Sequence, residues 1–184
     1  MRDFHTAYFE QYIKGSHFQR LAADDSYLML ALTYASDKHH GVMRRGNIEP
    51  YVAHCFRVAE RYAQLTLPDR FSKEVYAALL LHDVKEDCGV TNSDLQEAGF
   101  TPRTIELVAG LSRYPWETRK TYVERILVSG ELELMVGKLC DTMDNMVVDP
   151  YRLDGMGDWA QRLAHYGKTQ IALIGQIDAH LKQV

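Results

Sequence analysis

Cysteine is scarce in this 184-residue chain: three occur, at positions 55, 88 and 140, an odd number without CxxC spacing. That excludes a disulfide framework and a paired-thiolate zinc site, and leaves the three as small packing residues. No apolar run reaches the roughly 18 residues of a membrane span. The N-terminal stretch from Met1 to Tyr8 carries charges where a secretion signal needs an apolar segment. A soluble, cytoplasmic protein with no membrane partner is expected. Basic strips are missing as well: the net charge is −4, charged residues make up 25 % of the chain, and no lysine-rich or aromatic-interleaved run offers a footprint for a duplex. Nucleic acid is therefore not the expected partner. Period-2 alternation, internal repeats and low-complexity linkers are also lacking, so no strands are expected beyond a small hairpin. With 46 % hydrophobic residues the chain can bury a sizeable core. It reads as one domain over residues 1–184, with a core at about 26–166 and helical flanks at 1–23 and 167–184.

What is present is helical signal. Phe4, Tyr8, Phe9, Tyr12, Phe18 and Leu21 recur at loose helical spacing, as one or two helices packed on the main body. Asp24, Asp25 and Ser26 offer N-caps for a helix from about Tyr27 to His40, with Leu28, Ala31, Leu32 and Ala35 on one face. Pro50 suits the first position of a helix over Tyr51 to Leu65 that turns Tyr51, His54, Cys55, Val58 and Tyr62 inward. Lys73 to Glu86 is expected as one continuous helix, closed by Asp87, Cys88 and Gly89. Helices at Thr91 to Gly99, from Thr101-Pro102 to before Pro115, at Thr118 to Val128, Leu132 to Val147 and Asp158 to Leu181 complete an all-α array. Asp149 to Gly157, with Pro150, Gly155 and Gly157, reads as a mobile loop.

Two rows on these helices could carry chemistry. Val75, Ala78, Leu79, His82 and Glu86 form one stripe whose apolar half runs into an imidazole and a carboxylate. Burying a polar group without partners costs roughly 2–7 kcal/mol, and a charge more, so something must compensate them. Either a divalent cation does so, or a backbone carbonyl satisfies His82 beside a solvated acidic helix end. Leu134, Lys138, Asp141 and Asn145 set a cation, a carboxylate and an amide in a second row, beside an apolar face of Met135, Leu139, Met143 and Met146. That row is either solvated or lines a cleft, and the cleft suits a helix this hydrophobic. Asp141 could then join His54, His82 and Asp83 in a nitrogen and oxygen site, which favours Mn²⁺, Fe²⁺ or Zn²⁺ over Ca²⁺ or Mg²⁺.

Several motifs fall in a recognisable order: His40-Gly41, Arg45, Glu49-Pro50-Tyr51 with His54, Leu81-His82-Asp83-Val84 with Glu86-Asp87, and Lys138-Leu139-Cys140-Asp141 with Asn145. In these the chain, from about Leu28 to Tyr166, resembles the HD-domain alarmone hydrolases. These pyrophosphohydrolases remove the 3′-diphosphate of guanosine 3′,5′-bis(diphosphate), the stringent-response signal. They occur as the hydrolase half of bifunctional enzymes and as small free-standing proteins, and the length of this chain matches the free-standing form.

The resemblance implies an all-α HD-domain fold and a Mn²⁺ cofactor held by His54, His82, Asp83 and Asp141, with Glu86 and Asp87 as the catalytic acidic pair. It implies substrate contacts from Arg45 on the base, Asn145 on the nucleoside, and Lys138, Arg162 and Tyr166 around the phosphates. A small-molecule nucleotide is the implied partner. Gly46, Thr142, Asp144 and Val147 stand where the family often has lysine, arginine, histidine or tyrosine, and arginine respectively. The metal ligands are untouched by these departures; the base and phosphate pattern are opened, and an adenosine alarmone becomes a candidate substrate. The alternatives are another HD phosphohydrolase acting on a nucleotide monoester and a non-catalytic nucleotide-binding regulator. His39, His165 and His180 are expected to be surface or packing residues.

Overall fold

The centre of the fold is a helix without a polar face. In a computed structural model of the chain, which describes residues 13–21, 25–44, 49–146 and 159–183 (the side chains of 159 and 160 excepted), every residue from Val75 to Leu81 is buried. The elements in chain order are α1 (His17–Leu21), α2 (Ser26–Lys38), α3 (Val52–Leu65), a 3₁₀ turn at Pro68–Arg70, α4 (Lys73–Leu81), α5 (Val84–Cys88), α6 (Asn92–Glu97), α7 (Pro102–Leu111), α8 (Arg119–Ser129), α9 (Leu132–Asn145) and α10 (Trp159–Leu181). A helix that is apolar all round must be enclosed by others. Here α2, α3, α7 and α9 pack around α4, and α10 lies along α9. The single core-facing stripe expected on this helix is therefore a wholly buried cylinder. Among the described residues the only β feature is an antiparallel bridge between Met43 and Pro50. No helix among them is long and apolar enough to cross a membrane. Arg45 and the loop Asp149 to Gly157 lie outside the described residues.

Side-chain caps fix where the helices begin. Asp25 accepts from the backbone N–H groups of Tyr27 and Leu28, Ser72 from Val75, and Thr101 from Thr104. Thr91 with Asp94, and Thr118 with Thr121, close reciprocal capping boxes. Each such cap contributes about 1 kcal/mol. Helix α1 is held at its start by the buried Glu60 of α3. Its carboxylate accepts from the backbone of His17 and Phe18, each at 2.8 Å, and from the Tyr76 hydroxyl at 2.6 Å.

The continuous helix expected from Lys73 to Glu86 does not form. α4 stops at Leu81, α5 starts at Val84, and His82 and Asp83 occupy the turn between them. His82 Nδ1 donates to the Leu79 carbonyl at 2.8 Å, satisfying with an imidazole an acceptor at the helix end. α5 ends one turn later at Gly89, whose φ of +68° is left-handed and suits glycine.

Glycine also sets how closely α9 approaches. A Cβ at Gly137 of α9 would lie 3.0 Å from the Leu79 side chain, and one at Gly110 of α7 would lie 2.8 Å from both methyls of Leu134. These contacts bring the Asp141 end of α9 against the turn that carries His82 and Asp83.

Candidate metal centre and its cavity

Helix α3 delivers His54, the α4–α5 turn His82 and Asp83, and α9 Asp141. Their polar atoms converge. His54 Nε2 lies 3.3 Å from Asp141 Oδ1 and 3.6 Å from Asp83 Oδ2; His82 Nε2 lies 3.1 Å from Asp83 Oδ2 and 3.8 Å from Asp141 Oδ1. Donor atoms of His54, His82 and Asp141 all fall within 4.8 Å of one another, close enough for one ion.

Both imidazoles are anchored through the other nitrogen. His82 Nδ1 is spent on the Leu79 carbonyl, and His54 Nδ1 on Asp144 Oδ2 at 2.8 Å. Both Nε2 atoms are thereby turned toward the carboxylates, as outer partners orient metal-binding histidines. His82 Nε2 is buried and, despite its short distance to Asp83, has no hydrogen-bond partner. Burial works against a charge on His82, but Asp83 and Asp141 outweigh it and raise its pKa to about 9. Burial likewise would raise the Asp83 and Asp141 carboxyls; the histidines, and for Asp141 first of all the Lys138 charge, hold them well below the usual range. Two imidazole nitrogens and two ionised carboxylates around an orphaned buried atom form a donor set that fits a divalent transition metal. Cys55 Sγ lies within 4.8 Å of donor atoms of His82 and Asp83, but burial first and Asp83 next push its thiol well above the ordinary pKa, so it stays a neutral packing group.

Above this floor opens a cavity of about 250 Å³ lined by Glu86, Arg113, Arg119, Lys138, Asn145, Tyr166 and others. The polar row of α9 faces it. Lys138 Nζ reaches Asp141 Oδ2 at 2.6 Å, and Asn145 Nδ2 donates to Asp141 Oδ1 at 2.6 Å. Leu139, Met143 and Met146, expected as the core side of α9, are only half-buried. The bonds around Asp141 satisfy the polar groups and let that face turn inward.

Glu86 sits on the cavity wall. Its Oε1 accepts the Arg113 backbone N–H at 2.8 Å, and the Arg113 guanidinium stands 3.7 Å from Oε2. Burial, with the Asp83 charge behind it, raises its pKa. Asp87 does not share that wall. It faces the Tyr51 hydroxyl and His39, so the two carboxylates expected to overhang the ligands from one helix face diverge across α5. Tyr51 also donates to Asp83 Oδ2 at 2.8 Å and is stacked on His39 with centroids 4.9 Å apart. Arg162 lies outside the main cavity, in an adjoining one of about 240 Å³ that it lines with Arg119, Gln161, His165 and Tyr166. His39 is a buried packing residue, whereas His165 lines both cavities.

The profile of the HD domain matches residues 31–123, just over half of the chain and the span that supplies three of the four converging ligands. The chain belongs to the HD domain family. Within this HD domain, His82 and Asp83 are the adjacent pair on the α4–α5 turn. The chain is 31 % identical over 137 residues to the guanosine-3′,5′-bis(diphosphate) 3′-pyrophosphohydrolase of Aquifex aeolicus, covering 71 % of this chain and 18 % of that protein. It is 43 % identical over 79 residues to the protein of that name in Vibrio cholerae, covering 43 % of this chain and 10 % of that one. The HD domain chain thus spans less than a fifth of the length of these curated relatives. Among solved structures, one described as a metazoan ortholog of SpoT that hydrolyzes ppGpp superposes with a TM-score of 0.57 at 23 % identity, over 86 % of this chain and 96 % of that one. That likeness shows a shared fold.

Sequence reasoning offered Arg113 as one of the cations that attract the substrate, met Asp144 only as a departure from the family pattern, and passed over Arg44, Arg57 and Arg119. A signal for some of them was available: His54, Arg57 and Arg61 fall at i, i+3 and i+7 on α3, a row of nitrogen donors on the face that meets Asp144.

Proposed function

We propose that this HD domain is a Mn²⁺-dependent 3′-pyrophosphohydrolase of guanosine or adenosine 3′,5′-bis(diphosphate), releasing pyrophosphate and the nucleoside 5′-diphosphate. The observation that carries the reading is the pairing of a four-ligand floor with a cation-lined wall. His54, His82, Asp83 and Asp141 converge beneath Arg113, Arg119 and Lys138, in a chain whose net charge is −4. Such a local concentration of positive charge draws a polyanion to one place on an otherwise acidic molecule. The names of the Aquifex and Vibrio relatives point to the same substrate.

His54, His82, Asp83 and Asp141 would hold a divalent metal, which would supply the Lewis acidity that makes a water more acidic and a phosphoryl group more electrophilic. Glu86 accepts the proton of the attacking water. The bond from the water oxygen to the phosphorus on the ribose 3′-oxygen forms, the bond between that phosphorus and the 3′-oxygen breaks, and the freed oxygen takes up a proton. Burial, with the Asp83 charge behind it, raises the pKa of Glu86 and makes it a stronger base than a solvated carboxylate. Lys138, Arg113 and Arg119 neutralise phosphate oxygens. Asn145, fixed by bonds to Asp141 and from Arg44, meets the nucleoside, and Arg45 stacks on its base. Arg162 and Tyr166 take the outer phosphates from the adjoining cavity. Asp87 acts through Tyr51 on Asp83. Thr142 lines the cavity with its hydroxyl bonded to the carbonyls of Lys138 and Leu139, and offers the base no cation; this favours accepting adenine as well as guanine.

The test is to strip the protein of metal and incubate it with Mn²⁺ and either bis(diphosphate), resolving the products by chromatography beside an Asp83→Ala control. Pyrophosphate and the nucleoside 5′-diphosphate, absent in the control, are expected, and the ratio of the two rates gives the base preference. Mn²⁺ binding without cleavage of either substrate would sink the assignment in favour of a nucleotide monoester substrate or a silent sensor.

A further inference from the structure

Asp144 is completely buried on α9, and one imidazole and three guanidinium side chains meet it. Its Oδ2 accepts from His54 Nδ1 at 2.8 Å, from Arg44 Nη1 at 3.0 Å and from Arg57 Nη2 at 3.0 Å. Its Oδ1 accepts from Arg57 Nε at 2.8 Å, with Arg61 at 3.5 Å. Glu49 grips the far side of the Arg57 guanidinium at 2.7 and 2.9 Å. An ion cluster of this kind could serve packing alone anywhere in the core. What distinguishes this one is where it ends. Asp144 bonds the one nitrogen of His54 that does not face the ligand cluster, and it lies one turn along α9 from Asp141.

The two histidines are therefore held differently, His82 by a neutral carbonyl and His54 by a carboxylate. A carboxylate on Nδ1–H fixes the tautomer, turns the Nε2 lone pair outward and strengthens it as a donor. Arg44 extends the connection. Besides Asp144 it donates to Asn145 Oδ1 at 2.8 Å, which directs the Asn145 amide N–H toward Asp141. Its backbone N–H bonds the Glu49 carbonyl at 3.0 Å, two residues before Tyr51.

We infer that Asp144 is a positioning residue of the metal centre, fixing His54 directly and, through Arg44 and Asn145, the carboxylate of Asp141. The inference rests on the reading that the four ligands hold a divalent metal, and needs no assumption about the substrate.

Mn²⁺ binding is measured on the full chain by the electron paramagnetic resonance signal of free Mn²⁺, at fixed pH, with no nucleotide present. Asp144→Asn is expected to weaken binding about 10–100-fold. Glu60→Gln, which disturbs a buried carboxylate bonded to the start of α1 and to Tyr76 and to none of the four ligands, is expected to lower stability and leave the affinity at the wild-type value. Wild-type affinity in Asp144→Asn overturns the inference while leaving the metal reading intact. A wild-type protein that binds no Mn²⁺ overturns the metal reading and the inference with it. Should Asp144→Asn fail to fold, Asp144→Glu keeps the charge against Arg57 but displaces it from His54. A several-fold loss of affinity is then expected, and unchanged binding is the contrary result.

Discussion

Glu86 reaches the cavity with one oxygen engaged by the Arg113 backbone N–H and the other still facing the guanidinium. Its proposed work is proton transfer, so Glu86→Gln should lower kcat by about 10²–10⁴ and leave Mn²⁺ affinity close to wild type. The pH profile carries the same signature. Burial, aided by the Asp83 charge, favours the protonated form, and only the ionised form can act as a base. Activity should fall as pH drops through a midpoint above the ordinary glutamate value of about 4.3. A rate profile whose acid limb sits at that ordinary value would detach Glu86 from the reaction. At this scale His54, His82, Asp83 and Asp141 were legible because the motif brings each with its neighbours in order. Asp144 was not, because its partners lie 87 to 100 positions away in sequence and an acidic residue on a helix ordinarily signals a solvated face.

Helix starts were readable from Asp25, Thr91, Thr101 and Thr118, since a cap is a local bond between a side chain and the next turn. One feature of the elements was not. The interruption at His82 depends on an imidazole satisfying the Leu79 carbonyl, which periodicity does not encode. The row of Lys138, Asp141 and Asn145 does line a cleft, as the hydrophobic content of α9 suggested, with the three side chains satisfying one another. Helix spacing gives a separate test. A Cβ at Gly110 would stand 2.8 Å from both methyls of the buried Leu134. Overpacking costs about 1–3 kcal/mol, and replacing a helical glycine by alanine returns up to about 1. Gly110→Ala should therefore destabilise the protein by about 1 kcal/mol in urea unfolding, and adding Leu134→Val should recover part of it. An unchanged midpoint for the single variant would show that α7 and α9 can slide apart at no cost.

For the molecule as a whole, the four proposed ligands come from α3, α9 and the turn after α4, so an ion held by them would join three parts of one core. An ion that binds only the folded chain stabilises it by mass action, about 2.7 kcal/mol at a hundred times its dissociation constant. Mn²⁺ should raise Tm, a chelator should reverse the rise, and Asp83→Ala should abolish it; a Tm indifferent to Mn²⁺ in the wild type counts against the centre. The enclosure of α4 adds a kinetic consequence. From Val75 to Leu81 its amide hydrogens should have no route to solvent through a local opening, because that stretch is buried among neighbouring helices. They exchange with deuterium only when the whole fold comes apart. His82 and Asp83 hang from the end of this buried segment, so an ion held there would enter and leave through the mouth of the cavity, on a clock separate from the breathing of the protein.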